Sequence, residues 1–157
     1  RIQSSIIYIS IYLIMNLGLF SCLLMLRRNE NYFERLEDLS GLSKNHPILS
    51  FSLLIILFSL AGIPPLAGFF AKFYIFIAVV DESMYYLAII GLLSSVIAAF
   101  YYLRIIKIIY FDKGKEKFDT DHHLSLKVSL TISSIFILFY FIYPNILNEI
   151  ISKINII

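Results

Sequence analysis

The chain has 157 residues, of which 59% are hydrophobic and 15% charged, with a formal net charge of +2. Its mean hydropathy is +0.83, and its apolar share exceeds the roughly 45–50% of soluble domains. A soluble fold of this size could not hide so much apolar surface, so lipid is the expected solvent. A charge this small, with no basic run interleaved with aromatics, gives no case for nucleic acid. A lone cysteine, Cys22, excludes a disulfide within the chain.

A bilayer core of about 30 Å takes roughly 20 apolar residues in a helix rising about 1.5 Å each. Ile2–Leu26 meets this length with no internal charge and is closed by Arg27 and Arg28. The first residue is Arg1 rather than Met, which implies a processed start or a longer polypeptide. No cleavable leader pattern precedes the first apolar run, so all the apolar runs are expected to be permanent spans. Next, Phe33 and Leu36 share one helical face while Glu34, Glu37 and Asp38 point away, predicting a short interfacial helix over Asn31–Leu39 that stops at Gly41.

Ile48–Val80 is too long for one span. Its 33 residues would reach about 50 Å as a straight helix. Its middle reads Ala61-Gly62-Ile63-Pro64-Pro65-Leu66-Ala67-Gly68. Paired prolines remove two amide donors and clash with the preceding turn. Gly62 and Gly68 lower the cost of unwinding. The expectation is a discontinuous helix, Ile48–Leu60 and Phe69–Val80, buried against neighbours, because unpaired backbone at membrane depth survives only inside protein or beside water. A proline kink in a long tilted helix is the simpler alternative.

Met84–Ile109 follows the acidic pair Asp81-Glu82 as another plain span, and Leu124–Tyr143 is a further one ending at Pro144. The tail 146–157 aligns Ile146, Leu147, Ile150, Ile151 and Ile154 on one stripe and predicts a helix lying at the interface. The fold class is therefore all-α: a polytopic bundle of four transmembrane helices, the second discontinuous around Gly62–Gly68. One membrane domain over residues 1–157 is expected, with spans near 2–26, 48–80 (broken), 84–109 and 124–143.

Basic residues set an orientation. The loops after the first and third spans share a side and hold Arg27, Arg28, Arg35, Lys44, Arg104, Lys107, Lys113, Lys115 and Lys117, against Arg1 and Lys153 on the other. That side should face the cytoplasm or matrix, leaving both termini outward.

Lys72 is the residue with chemistry to offer. It lies eight residues before Val80, about 12 Å along a straight half-helix, too deep for easy snorkelling. An ammonium near the bilayer centre costs about 2.5–3.5 kcal/mol on insertion scales, so such residues face polar interiors and are functional by default. A lysine held there can accept and release a proton as a nearby charge comes and goes. A permanent pairing with a carboxylate of a neighbouring helix is the structural alternative. The adjacent unwound segment favours an ion site.

The remaining charges suggest less. Arg104, Lys107 and Lys127 sit near span ends and suit snorkelling. Asp121-His122-His123 lacks further ligands at helpful spacing, so a solvated loop rather than a metal site is expected. His46, just before Pro47, is expected at the interface, and the Tyr101-Tyr102 pair suits packing or interface belts. No phosphate loop, dinucleotide fingerprint, iron–sulfur cysteine set or nucleophile elbow occurs.

The run Ser59-Leu60-Ala61-Gly62-Ile63-Pro64-Pro65-Leu66-Ala67-Gly68-Phe69-Phe70-Ala71-Lys72-Phe73-Tyr74 resembles the discontinuous twelfth helix of the antiporter-like subunits of respiratory complex I, NADH:quinone oxidoreductase. Ser94 through Arg104 is similar to the thirteenth helix, Leu36 through Leu42 with His46-Pro47 to the preceding loop, and Tyr12 through Phe20 to the eleventh. Within that family the likeness is to the branch called subunit 2 in mitochondria and subunit N in bacteria. It covers nearly the whole chain in long ungapped matches. Family subunits have about fourteen spans, so this chain would supply the last four.

The resemblance implies a proton-pumping membrane-arm subunit with Lys72 as the terminal member of a lysine–glutamate relay. It implies no cofactor in this chain, with FMN, iron–sulfur clusters and ubiquinone elsewhere in the complex. The implied partners are other membrane-arm subunits, a chain supplying the missing helices, and lipid. A mitochondrial inner membrane location, both termini toward the intermembrane space, is the expected setting, and the residue usage suits an AT-rich organelle genome. A cation/proton antiporter or membrane-bound hydrogenase subunit, or a non-pumping anchor of the arm, are the alternatives.

Overall fold

Ile2–Met25 forms helix α1 in the computed structural model, which describes residues 2–29, 31–114, 117–120 and 122–154. Its buried residues Ile7, Ile11, Met15, Gly18, Cys22 and Met25 recur every three or four positions, so one face packs inward. The opposite face, including Leu13, Leu17 and Phe20, is exposed. Packing against α6 (Leu124–Phe139) is close: a Cβ on Gly18 would lie 2.8 Å from Ser133 Cβ. Small residues of this kind let membrane helices approach when no hydrophobic gain separates protein from lipid.

The broken helix is α3 (Pro47–Ala61) followed by α4 (Ala67–Asp81), with 62–66 unwound between them. Proline at the first position of α3 has no amide to leave unpaired. Buried residues lie all around α3, Ser50, Ile55, Ile56 and Leu57 among them, because α1, α4, α6 and the helix over Tyr85–Phe111 surround it. The unwound segment differs from the sequence expectation in one respect. Leu66, Ala67 and Gly68 are buried, but Pro64 and Pro65, joined by a cis peptide bond, are exposed. Lacking N–H groups, they present no orphan donors there.

Helix α5 (Tyr85–Phe111) is long and apolar, yet it buries only Ile106, Ile108 and Ile109. One face of the rest, from Tyr86 at 86% exposure to Phe100 at 65%, points outward, while Ser95 and Tyr102 on another face are half-buried. Among the described residues three helical stretches are long and apolar enough to cross a membrane: Ile2–Met25, Tyr85–Phe111 and Leu124–Ile142. Helix α6 runs into a 3₁₀ turn at Tyr140–Ile142, where the Tyr140 hydroxyl donates to the Pro144 carbonyl at 2.9 Å. Helix α7 (Ile146–Lys153) buries Ile151, and Gln3 on α1 donates to Asn148 at 3.0 Å. Residues 155–157 of the expected tail helix lie outside the described residues.

The expected helix over Asn31–Leu39 is not formed. Arg27–Arg28 (β1) and Asn31–Tyr32 (β2) pair antiparallel, and only Leu36–Leu39 turns, as a 3₁₀ segment. Two local features outcompete the helix. Asn29 takes a φ of +50°, the left-handed region that a two-residue hairpin turn uses and asparagine tolerates. Asp38 Oδ2 accepts from the Arg35 amide at 3.2 Å, which starts the turn only at Leu36. A one-turn helix α2 (Leu42–Asn45) follows.

The loop after α5 docks onto this hairpin. The Asp119 amide donates to the Arg27 carbonyl at 2.8 Å, and the Arg28 guanidinium lies 4.8 Å from the centre of the Phe118 ring. The two basic segments thus share one side of the bundle.

Candidate functional site

Ending a helix inside a bundle leaves its last carbonyls without amide partners. At the end of α3, Gly62 adopts φ +84° and its amide donates to Ser59 O at 3.0 Å, while the Ile63 amide donates to Phe58 O at 3.1 Å. This paired capping arrangement satisfies two carbonyls and suits glycine, which has no Cβ to strain. The Leu60 carbonyl is left over. Lys72 Nζ donates to it at 3.0 Å. The α3 macrodipole is negative at this end, so the cation gains from the dipole as well as from the hydrogen bond.

Lys72 reaches Leu60 because the two half-helices nearly touch. Gly68, on the first turn of α4, rests against the Ser59 backbone so closely that a Cβ would overlap the Ser59 carbonyl oxygen. Its amide, one of the orphan donors of a helix start, donates to Ser59 Oγ at 2.9 Å. The Ser59 hydroxyl in turn donates to Met15 Sδ of α1 at 3.0 Å. Gly62 also matters as a space: a Cβ there would sit 3.2 Å from Lys72 Cδ.

Lys72 is half-buried, and among the described residues it forms no ion pair. Hollows of about 210, 280 and 340 Å³ each have Lys72 in their walls. The smallest is lined by Tyr8, Tyr12 and Met15 of α1 and by Ser94, Ser95 and Tyr102 of α5. Tyr8 and Tyr12 stack with ring centres 6.1 Å apart. Phe69, Phe73 and Phe76 of α4 line the 280 Å³ hollow. The amine is thus held by a carbonyl at the edge of hollows whose walls also carry hydroxyl side chains.

Of the residues singled out from sequence, Gly62, Pro64 and Pro65 lie in the unwound segment, Gly68 on the first turn of α4, and Lys72 one turn further along α4. Gly62 and Gly68 adjoin the Lys72 side chain or its carbonyl partner's helix end, whereas Pro64 and Pro65 face outward. Sequence reading missed Tyr8, Tyr12, Ser95 and Tyr102 as neighbours of Lys72. The available signal was spacing, since Tyr8 and Tyr12 at i, i+4 and Ser95 and Tyr102 at i, i+7 each share a helix face.

Other expected residues lie elsewhere. Arg104, Lys107 and Lys127 are exposed. His46 precedes α3, and its Nε2 accepts from the Phe118 amide at 3.1 Å. Burial and then the nearby charge of Lys117 hold its pKa below the ordinary histidine value. Among the described residues no three His, Cys, Asp or Glu side chains gather as a metal site, and Asp121 lies outside them.

Residues 1–98 match the family described as NADH:quinone oxidoreductase/Mrp antiporter, transmembrane. The NADH-quinone oxidoreductase subunit N of Pelagibacter ubique is 74% identical over 156 residues, covering 99% of this chain and 33% of that relative. Subunit N of Parvibaculum lavamentivorans is 50% identical over 143 residues, covering 91% and 30%. A chain of respiratory complex I from Thermus thermophilus, solved with bound aureothin, superposes with a TM-score of 0.77 at 23% identity, over 92% of this chain and 33% of that one. The chain spans about a third of the length of the curated relatives it matches. Its all-α membrane fold and its sequence agree, and the chain belongs to the NADH:quinone oxidoreductase/Mrp antiporter transmembrane family.

Proposed function

We propose that the chain forms the C-terminal part of a proton-translocating membrane-arm subunit of NADH:quinone oxidoreductase, with Lys72 as the group that carries the proton. The observation that supports this most is the Lys72 amine, placed at a helix break and bonded to a helix-end carbonyl at 3.0 Å. Among the described residues the amine's hydrogen-bond partner is that carbonyl, which leaves its charge open to influence from neighbouring helices. A neighbouring charge that comes and goes can then change the proton affinity of the amine. The relatives point to the enzyme: they are NADH-quinone oxidoreductase subunits N, at 74% and 50% identity. The family description also includes Mrp antiporters, which keeps a cation/proton antiporter as a second reading. Co-purification with flavin and iron–sulfur proteins separates the two.

The partners we infer are other membrane-arm subunits and the helices that make up the remainder of the subunit, on this polypeptide or another. The exposed apolar length of α5 and the open hollows beside Lys72 provide the surface for them. The side bearing the hairpin and the 112–123 loop is assigned to the cytoplasm by its basic residues, leaving both chain ends opposite. The relatives named above are bacterial, so the setting we favour is a bacterial cytoplasmic membrane. The mitochondrial inner membrane expected from sequence draws no support from them.

Substituting Lys72 by Met in the assembled enzyme tests the role. Loss of proton translocation per electron, with the complex still assembled, supports it; an unchanged ratio removes Lys72 from the path.

A further inference from the structure

Away from Lys72, on the side carrying the basic segments, a cleft of about 520 Å³ opens between the starts of α3 and α6. Its floor is apolar, with Met25, Leu49 and Leu130 each less than a tenth exposed. Its wall reaches the outer surface of the bundle at Ile48, which is 84% exposed. The polar end holds His46 and the exposed Lys127, and among the described residues lining the cleft there is no carboxylate.

We propose that this cleft binds an anionic glycerophospholipid. Lys127 sits on the first turn of α6, where the apolar span meets the polar loops. Helix α3 begins at the same place with no side-chain cap, so the positive end of its dipole adds to the ammonium charge. The His46 ring accepts at Nε2, so the neutral imidazole carries its proton on Nδ1 and has a donor for a phosphate oxygen. A polar end that is cationic and an apolar trough that opens sideways match one phosphate with an acyl chain. Basic pockets between helices on this side of a membrane favour anionic over zwitterionic headgroups. The site is independent of Lys72 and of the proposed proton path.

The test uses the assembled, membrane-embedded complex and two photoreactive lipids with the same diazirine-bearing acyl chain, one a phosphatidylglycerol and one a phosphatidylcholine. Phosphatidylglycerol should label α3 and α6 peptides of this chain about fivefold more than phosphatidylcholine, the advantage one lysine gives near a lipid surface. Lys127→Gln should abolish that preference, whereas Lys107→Gln, outside the cleft, should leave it. Thr131→Trp, which fills the cleft, should lower labelling by both lipids. Equal labelling by the two lipids, or a preference that survives Lys127→Gln, overturns the proposal. So does an absence of label from α3 and α6, the result expected if a helix of another subunit fills the cleft.

Discussion

Gly68 lies against the Ser59 carbonyl with no room for a side chain, while the Ser59 hydroxyl holds the Gly68 amide at 2.9 Å. The contact fixes where α4 starts relative to where α3 ends, and so fixes how far Lys72 must reach. Gly68→Ala would push the Cβ into backbone, which cannot move aside as a flexible side chain can. Overpacking of this kind costs about 1–3 kcal/mol or more. The expected result is a lower unfolding temperature of the purified complex, with weakened proton translocation. Gly114→Ala, whose Cβ would have at least 3.8 Å of clearance, should leave both nearly unchanged.

Ser59→Ala tests the same junction from the other side. It removes the acceptor of the Gly68 amide and the donor to Met15. A buried amide left without a partner costs about 1–3 kcal/mol. Thermal unfolding should show that loss, and amide exchange at Gly68 should quicken.

Gly62→Ala probes the capping turn. A φ of +84° is strained for any residue with a Cβ, at about 1–2 kcal/mol. The new methyl would also press on Lys72 Cδ, so proton translocation should fall by more than the stability change alone explains. Equal losses in Gly62→Ala and in a control that destabilises a distant helix to the same degree would remove the steric link to Lys72.

The His46 to Phe118 bond gives a pH dependence. Only neutral imidazole accepts at Nε2, and burial, followed by the charge of Lys117, lowers the His46 pKa from its ordinary 6.5. A depressed folded-state value means that the stabilisation is fully present above about pH 6.5 and is lost as the pH falls through the lower folded-state pKa. Amide exchange at Phe118, corrected for intrinsic rates, should quicken on acidification across that window. His46→Gln retains an acceptor and does not titrate, so it should flatten the response.

The helix break was legible because its chemistry is local: twin prolines delete donors, and glycines admit the backbone that follows. Lys72 was legible because a cation is conspicuous inside an apolar run. Its surroundings were not. Tyr8, Tyr12, Ser95 and Tyr102 come from separate helices and carry no charge. In a chain with 11 tyrosines, nothing in composition distinguishes three that converge from others at an interface. The 31–39 segment was misread for a different reason. Its amphipathic spacing is real, but a left-handed Asn29 and the Asp38 side chain offer the backbone a hairpin and a late turn instead.

On the proposed path Lys72 gains and loses a proton, as distinct from merely being positive. Lys72→Arg separates the two, since arginine keeps the charge and can still reach a carbonyl but does not deprotonate in proteins. The decisive measurement is protons translocated per electron in vesicles holding the assembled Lys72→Arg enzyme. A marked fall in that ratio is the predicted result. A ratio equal to that of the unmodified enzyme would show that charge alone suffices at this position, contradicting the account.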